Sequence, residues 1–216
     1  MVILIALLAL ATVPVVAGGV RGIGEHWHRR TLSAAGGIAV AYVFVELLPE
    51  LADGQAAVEG RGLLPFLERH VYLFALVGLI VAFGNQRFAL THASDRAGIA
   101  IGTAAIGGLL VGYALGDSEG NARDVALFTV ALGLHYLIVD HGLAEEYPDQ
   151  YRRVGRFVIA ASVLVGGSIA RMVALDEAAL AIVLAVIAGG IVLETFRHEL
   201  PQAGRVDFWF FLLAAA

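Results

Sequence analysis

Seven long apolar stretches occupy most of this 216-residue sequence. An α-helix rises about 1.5 Å per residue, so about 20 apolar residues are needed to cross the hydrocarbon layer of a bilayer. Backbone groups in that layer have no water to bond to, which leaves helices as the spanning elements for runs of this length. The sequence therefore predicts an all-α, polytopic transmembrane helix bundle that forms one integral membrane domain over residues 1–216.

The predicted spans follow from where each apolar run begins and ends. The sixth run is the shortest, but it is bounded by Arg156 and Arg171, whose long side chains can reach outward to the headgroups. A last apolar run stops at Ala216 after nine residues, too few to cross, so we expect a truncated eighth helix over 208–216. The seven full spans are predicted at 2–20, 32–51, 70–90, 97–115, 125–144, 157–170 and 178–198.

Composition narrows the classes of function. The chain is 59% hydrophobic, and its mean hydropathy is +0.82, which makes the lipid bilayer its first partner. It contains no cysteine, so thiolate metal sites and cysteine nucleophiles are excluded, and any metal ligand must be an imidazole, a carboxylate or an amide. No basic patch alternates with aromatic residues, which excludes nucleic acid. The sequence leaves open whether the protein forms a homodimer.

The arginines predict the orientation. Ten of the 14 basic residues, all of them arginine, lie in or beside the loops after spans one, three, five and seven. Short cytoplasmic loops carry an excess of positive charge. We therefore expect a multi-pass protein of the cell membrane with its N-terminus outside.

Acidic side chains stand in three of the apolar runs, as Glu46, Asp140 and Glu194. A charged group at the centre of a bilayer costs roughly 2.5–3.5 kcal/mol on insertion scales, and such residues usually mark an ion route or a functional site. The clearest run reads HYLIVDHGLAEE, from His135 to Glu146. These positions predict cation handling.

Spacing strengthens that prediction, because residues four apart share one face of a helix. Carboxylates and imidazoles without thiolate suit Zn²⁺ best, with Fe or Mn as alternatives. Three pairs have this spacing: Glu46 with Glu50, His141 with Glu145, and Glu194 with His198. The predicted metal ligands are Asp140, Glu194, His198, His135, His141 and Glu46.

The predicted ligands differ in depth. His135 lies ten residues into its run, which is about 15 Å and near the middle of the bilayer. Glu46 falls nearer the outside, and Asp140 and Glu194 fall nearer the inside. A translocation path needs a series of ligands at different depths, since each of them replaces part of the ion's hydration without trapping the ion.

Three short patches resemble the ZIP family of divalent metal transporters. VELLPEL (Val45–Leu51) is similar to the family's H-L-L-P-E-like turn, with Glu46 where histidine is usual. HYLIVDHGLAEE and ETFRHELPQ partly resemble its two metal-binding helices. The resemblance implies eight spans, both termini outside, and metal binding by Glu46, His135, Asp140, Glu194 and His198.

Two other functions stay open at this point. One is an intramembrane zinc hydrolase in which His135, His141 and Asp140 hold the metal and a glutamate is the base. The other is a non-transporting subunit or sensor whose polar residues only hold helices together. A hydrolase needs its metal ligands in one compact cluster. Because the predicted ligands lie at different depths, the sequence favours a transporter over an enzyme.

Overall fold

The computed structural model describes residues 1–17, 30, 33–34, 37–38, 40–58, 71–91, 95–118, 120–194 and 208–215. These residues are almost entirely helical and contain no strand, which confirms the all-α prediction for this part. Within the described residues, four helices are long and apolar enough to cross a membrane, namely Val71–Ala89, Arg96–Asp117, Ala122–Glu146 and Pro148–Ala170. Two shorter apolar helices are Val2–Val16 and Glu177–Leu193. The count of seven spans with a truncated eighth stays a prediction.

Eight helices are labelled here in chain order. They are α1 (Val2–Ala17), α2 (Leu48–Val58), α3 (Val71–Thr91), α4 (Arg96–Asp117), α5 (Ala122–Glu146), α6 (Arg156–Ala170), α7 (Glu177–Glu194) and α8 (Phe208–Ala215). Two π-helical segments, Val43–Leu47 and Tyr151–Gly155, run directly into α2 and α6, and a short helical turn, Pro148–Gln150, precedes the second. The extra residue in a π turn rotates the helix that follows it, and such turns often occur at functional sites.

Local capping sets where α5 begins. The side chain of Asn121 accepts hydrogen bonds from the backbone N–H groups of Arg123 and Asp124, at 2.9 and 3.2 Å. These N–H groups lack partners within the helix, so an asparagine at this position stabilises the first turn. The helix therefore starts at Ala122, three residues before the apolar run that predicted it.

The helices form two packs. In the first, α4 packs closely on α6, and α1 packs on both α5 and α6; in the second, α7 packs on α3 and α2. The packs meet along a seam where α4 touches α3 and α7. The buried hydroxyl of Tyr113 in α4 ties the two together near that seam: it donates to the carbonyl of Val173 at 2.7 Å and accepts from the N–H of Leu175 at 2.9 Å.

Glycines allow the close approach within each pack. A Cβ added to Gly112 of α4 would strike the backbone carbonyl of Val163, and one added to Gly166 of α6 would strike that of Leu109. In the second pack, Gly78 and Gly189 lie in the same way against backbone of the facing helix. Membrane helices pack by such contacts because hydrocarbon supplies no hydrophobic driving force between them.

We predict that Gly166→Ala lowers the free energy of unfolding by about 1–3 kcal/mol, because the new methyl group must displace the backbone of α4. Unfolding in detergent, followed by circular dichroism, measures the change. Gly102→Ala is the matched control on α4, since a Cβ there meets nothing within 4 Å. It should be neutral or stabilising by up to about 1 kcal/mol. Equal effects of the two substitutions would contradict the packing account.

Candidate functional site

Three buried polar side chains lie together on α5. His135, Tyr136 and Asp140 are only 7%, 5% and 1% exposed. Asp140 lies 18 residues after the start of this 25-residue helix, which places it about 27 Å along the axis. The sequence prediction that Asp140 and His135 occupy the interior of the bundle therefore agrees with their burial.

Asp140 is surrounded by groups from three parts of the first pack. The fully buried Tyr151 comes from the π-helical segment before α6, and its hydroxyl donates to the carbonyl of Pro14 in α1 at 2.9 Å. Tyr151 and His135 both interact electrostatically with the Asp140 carboxyl group. The Pro14 carbonyl belongs to the last turn of α1, where carbonyls have no partner within the helix. Tyr151 thus caps α1 while lying beside Asp140.

The Asp140 carboxyl group has no well-formed hydrogen bond, although the Tyr151 hydroxyl lies close enough to interact with it. Neither of its oxygens has a hydrogen-bond partner of good geometry in the part of the chain that the structure describes. Tyr151 has one hydroxyl proton, and the Pro14 carbonyl, which can only accept, takes it. A buried ionised carboxylate without hydrogen bonds or a counter-charge is strongly unfavourable. A carboxyl group in this position is therefore either protonated or neutralised by a positive charge.

His141 has a different partner. Its Nε2 lies 3.3 Å from Oε1 of Glu145, so the predicted pair four residues apart does meet on one face of α5. The side chain of Glu145 is 67% exposed, and pairs at such positions contribute less than about 1 kcal/mol. We read this pair as a boundary contact near the end of the helix.

The other predicted ligands are described in part or not at all. Glu46 belongs to the π-helical segment Val43–Leu47, where the N–H of Leu48 donates to the carbonyl of Val43, just before Pro49. Glu194 is the last residue of α7. The side chains of Glu46 and Glu194, and all of His198, lie outside the described residues. Within the described residues, no three His, Asp or Glu side chains form a group that could hold a metal ion.

A first cavity, of about 740 Å³, opens at one end of the seam between the packs. Four acidic residues line it: Asp53 of α2, Asp117 of α4, Asp124 of α5 and Glu177 of α7. No arginine or histidine belongs to its described lining. We call it the acidic cavity; its charge concentrates cations at this end of the molecule.

A second cavity, of about 330 Å³, lies further along the same seam, among α3, α4, α5 and α7. His135 and Tyr136 line it, together with mostly apolar side chains. We call it the Tyr136 cavity. Asp140 does not line it, but it interacts electrostatically with the Tyr136 side chain.

Apolar side chains separate the two cavities. Leu115 lines the acidic cavity and Val111, one helical turn away on α4, lines the Tyr136 cavity. Leu132 of α5 is 2% exposed and lies in the same hydrophobic core as these two residues. This apolar layer closes the seam between the two cavities.

Sequence reasoning missed both tyrosines of this site. Tyr136 stands inside the HYLIVD run that drew attention to α5, but a tyrosine in an apolar run gives no sign of whether its hydroxyl has a partner. Tyr151 lies outside the apolar run of the sixth span. Pro148, at the first position of the helical turn before it, was an available signal that a helix begins here.

Comparisons with models of known protein families, with curated proteins and with solved structures find no match. The function therefore has to be argued from the geometry.

We predict that Tyr151→Phe lowers the free energy of unfolding by about 1–3 kcal/mol, because the Pro14 carbonyl loses its buried donor. Tyr147→Phe is the control: the Tyr147 hydroxyl donates to Glu146 at an exposed position, at 2.8 Å, and its loss should change stability by less than about 0.5 kcal/mol. Thermal unfolding in the same detergent compares the two variants. If Tyr151→Phe were as mild as its control, Tyr151 would not be the cap of α1.

Proposed function

We propose that this protein is a multipass membrane protein that moves a divalent metal cation, Zn²⁺ first and Fe or Mn as alternatives, with Asp140 as a central ligand. The observation that carries the proposal is the Asp140 carboxyl group, 1% exposed and without a hydrogen-bond partner in the described part of the chain. A bound cation would neutralise this group, and the nearby imidazole of His135 offers a second metal ligand.

One carboxylate and one imidazole are too few for a divalent ion, which takes four or more ligands. The missing ligands are proposed to come from Glu194 and His198. Glu194 lies 17 residues after the start of α7, about 26 Å along its axis, close to the depth of Asp140 in α5. In the proposed topology, both helices run in the same direction across the bilayer. The similar depths support a shared site.

The proposed topology has seven spans and a truncated eighth, with the N-terminus outside, as the arginine distribution predicts. The acidic cavity then faces outside, because Asp117 ends α4 and Asp124 lies in the first turn of α5. Cations would collect there before entering the seam. Glu46 belongs to this entrance: its neighbours Val45 and Pro49 line the acidic cavity.

The seam between the packs is the proposed route. It begins at the acidic cavity, and the apolar layer around Val111, Leu115 and Leu132 closes it beyond that cavity. Relative movement of two helix packs around a buried site is a common way to expose that site to each side in turn. The ZIP-like patches of the sequence agree with a route of this kind and belong to the same proposal.

The topology predicts opposite labelling of two single-cysteine variants. The chain has no native cysteine, and Gly120 and Gln150 are both exposed, before and after α5. On intact cells, a membrane-impermeant maleimide should label Gly120→Cys, whereas Gln150→Cys should need permeabilisation. Labelling of both variants from one side would show that α5 does not cross, and the reverse pattern would overturn the orientation.

The site predicts that Asp140→Asn abolishes zinc uptake while the protein stays at least as stable as wild type. Asparagine keeps the shape of the side chain but removes the charge that binds the cation, and it also removes the cost of burying that charge. Uptake of radioactive zinc into proteoliposomes and thermal unfolding of the same preparation measure the two effects.

Asp149→Asn is the matched control for this substitution. Asp149 is 71% exposed in its side chain and pairs with Arg152 at 3.2 Å, so its loss should leave both uptake and stability near wild type. Unaltered uptake by Asp140→Asn would end the proposal. A marked loss of stability would instead assign Asp140 to holding helices together, the structural alternative.

A further inference from the structure

The Tyr136 cavity has walls unlike those of an ion path. Most of its lining is aliphatic, for example Leu110 of α4, Val139 and Leu143 of α5, and Ile187 of α7. Its volume of about 330 Å³ lies at the lower end of the range of small-molecule sites, which are mainly apolar with a few polar groups. From Tyr136 to Glu146, both in its lining, the cavity extends about 15 Å along α5.

Glycines keep this cavity open. Gly107, Gly142 and Gly190, from three different helices, line it, and a Cβ added to any of them would meet nothing within 4 Å. They therefore do not serve the close helix contact that Gly78, also in the lining, makes with the Val186 carbonyl. Glycine inside a helix costs about 1 kcal/mol relative to alanine. Three glycines without a packing role point to space that has an occupant.

The Tyr136 hydroxyl supplies an independent sign of that occupant. Tyr136 is 5% exposed, and its hydroxyl oxygen has no hydrogen-bond partner in the described part of the chain. A buried hydroxyl without a partner costs about 1–3 kcal/mol. The cavity that Tyr136 lines is where the missing acceptor would lie.

We propose that the Tyr136 cavity binds a lipid-soluble organic molecule with an apolar body and a carbonyl or hydroxyl oxygen that accepts a hydrogen bond from Tyr136. This second site goes beyond the proposed cation transport and does not depend on it. The apolar walls match the body of the ligand, and the polar oxygen meets the unpaired hydroxyl. The ligand partitions into the site from the bilayer.

Other occupants fit less well. A phospholipid tail would bring its methyl end to Tyr136 and leave the hydroxyl unpaired. A cation would find mainly aliphatic walls near Tyr136, because the polar lining residues Asn85, Gln86, Arg96 and Glu146 lie toward the ends of α3, α4 and α5. Water could be held by those residues, but it would need 2–4 polar partners to remain at Tyr136. A ligand with one polar end satisfies both parts of the lining.

Photolabelling with 3-azi-1-octanol, a photoactivatable alcohol, tests the site in purified protein reconstituted into lipid nanodiscs. Mass spectrometry should find saturable adducts on the cavity faces of α4 and α5. Tyr136→Phe should weaken their formation about five- to tenfold, the loss of one hydrogen bond. Gly107→Leu and Gly142→Leu should abolish the adducts by filling the cavity. Gly102→Leu, on α4 but outside the lining and in open space, should leave them unchanged.

Two outcomes would overturn the site. One is adduct formation in the cavity that neither Tyr136→Phe nor the leucine substitutions change in correctly folded protein. The other is rapid reaction of Gly142→Cys with a charged, membrane-impermeant thiol reagent, which would show that the cavity is filled with water. The photolabelling does not measure zinc, so loss or retention of uptake in Asp140→Asn tests the proposed function separately.

Discussion

A buried carboxyl group needs a proton, a positive partner or a set of hydrogen-bond donors, and neither oxygen of Asp140 has a well-formed hydrogen bond in the described part of the chain. The surrounding first pack explains why. The Tyr151 hydroxyl beside it donates to the Pro14 carbonyl at the end of α1. The hydroxyl proton of Tyr151 thus satisfies a carbonyl at the end of α1 and is not donated to the Asp140 carboxylate. A buried carboxylate in that condition lowers the stability of the fold.

The glycine contacts explain how such a site is held in place. Within the first pack, α4 and α6 approach so closely at Gly112 and Gly166 that side chains cannot intervene, and α1 is packed on both α5 and α6. The second pack has its own contacts of this kind at Gly78 and Gly189. Between the packs the contacts are sparser, and both cavities lie there. Packing is therefore tight inside each unit and looser at the seam between them.

The sequence predicted the helices well and their assembly poorly. Apolar runs located α3, α4 and α5 to within a few residues, because a long run in a bilayer has only one regular structure available. The boundaries moved where polar residues continue a helix: Asn121 caps α5 earlier than the run suggested, and Tyr151 extends the sixth helix through a π turn. The pairing of helices was not predictable, since apolar runs without a polar face do not indicate which side meets a neighbour.

The candidate site was predictable in the same uneven way. Asp140 and His135 were recognisable because ionisable groups are rare in apolar runs, and the contact between His141 and Glu145 followed from their spacing. The roles of Tyr136 and Tyr151 were not, because a tyrosine is equally at home in a core or at an interface until its hydroxyl partner is known. Whether Glu46, Glu194 and His198 join the site stays a prediction.

Infrared difference spectroscopy tests most directly whether the Asp140 carboxylate takes up a metal ion. Spectra of purified protein are recorded before and after zinc is added, and the carboxylate stretching bands are compared between wild type and Asp140→Asn. A zinc-induced carboxylate band in wild type that is lost from the variant is the predicted result. An identical difference spectrum in both proteins, or no band in either, would contradict the account and leave the buried carboxylate without a cation.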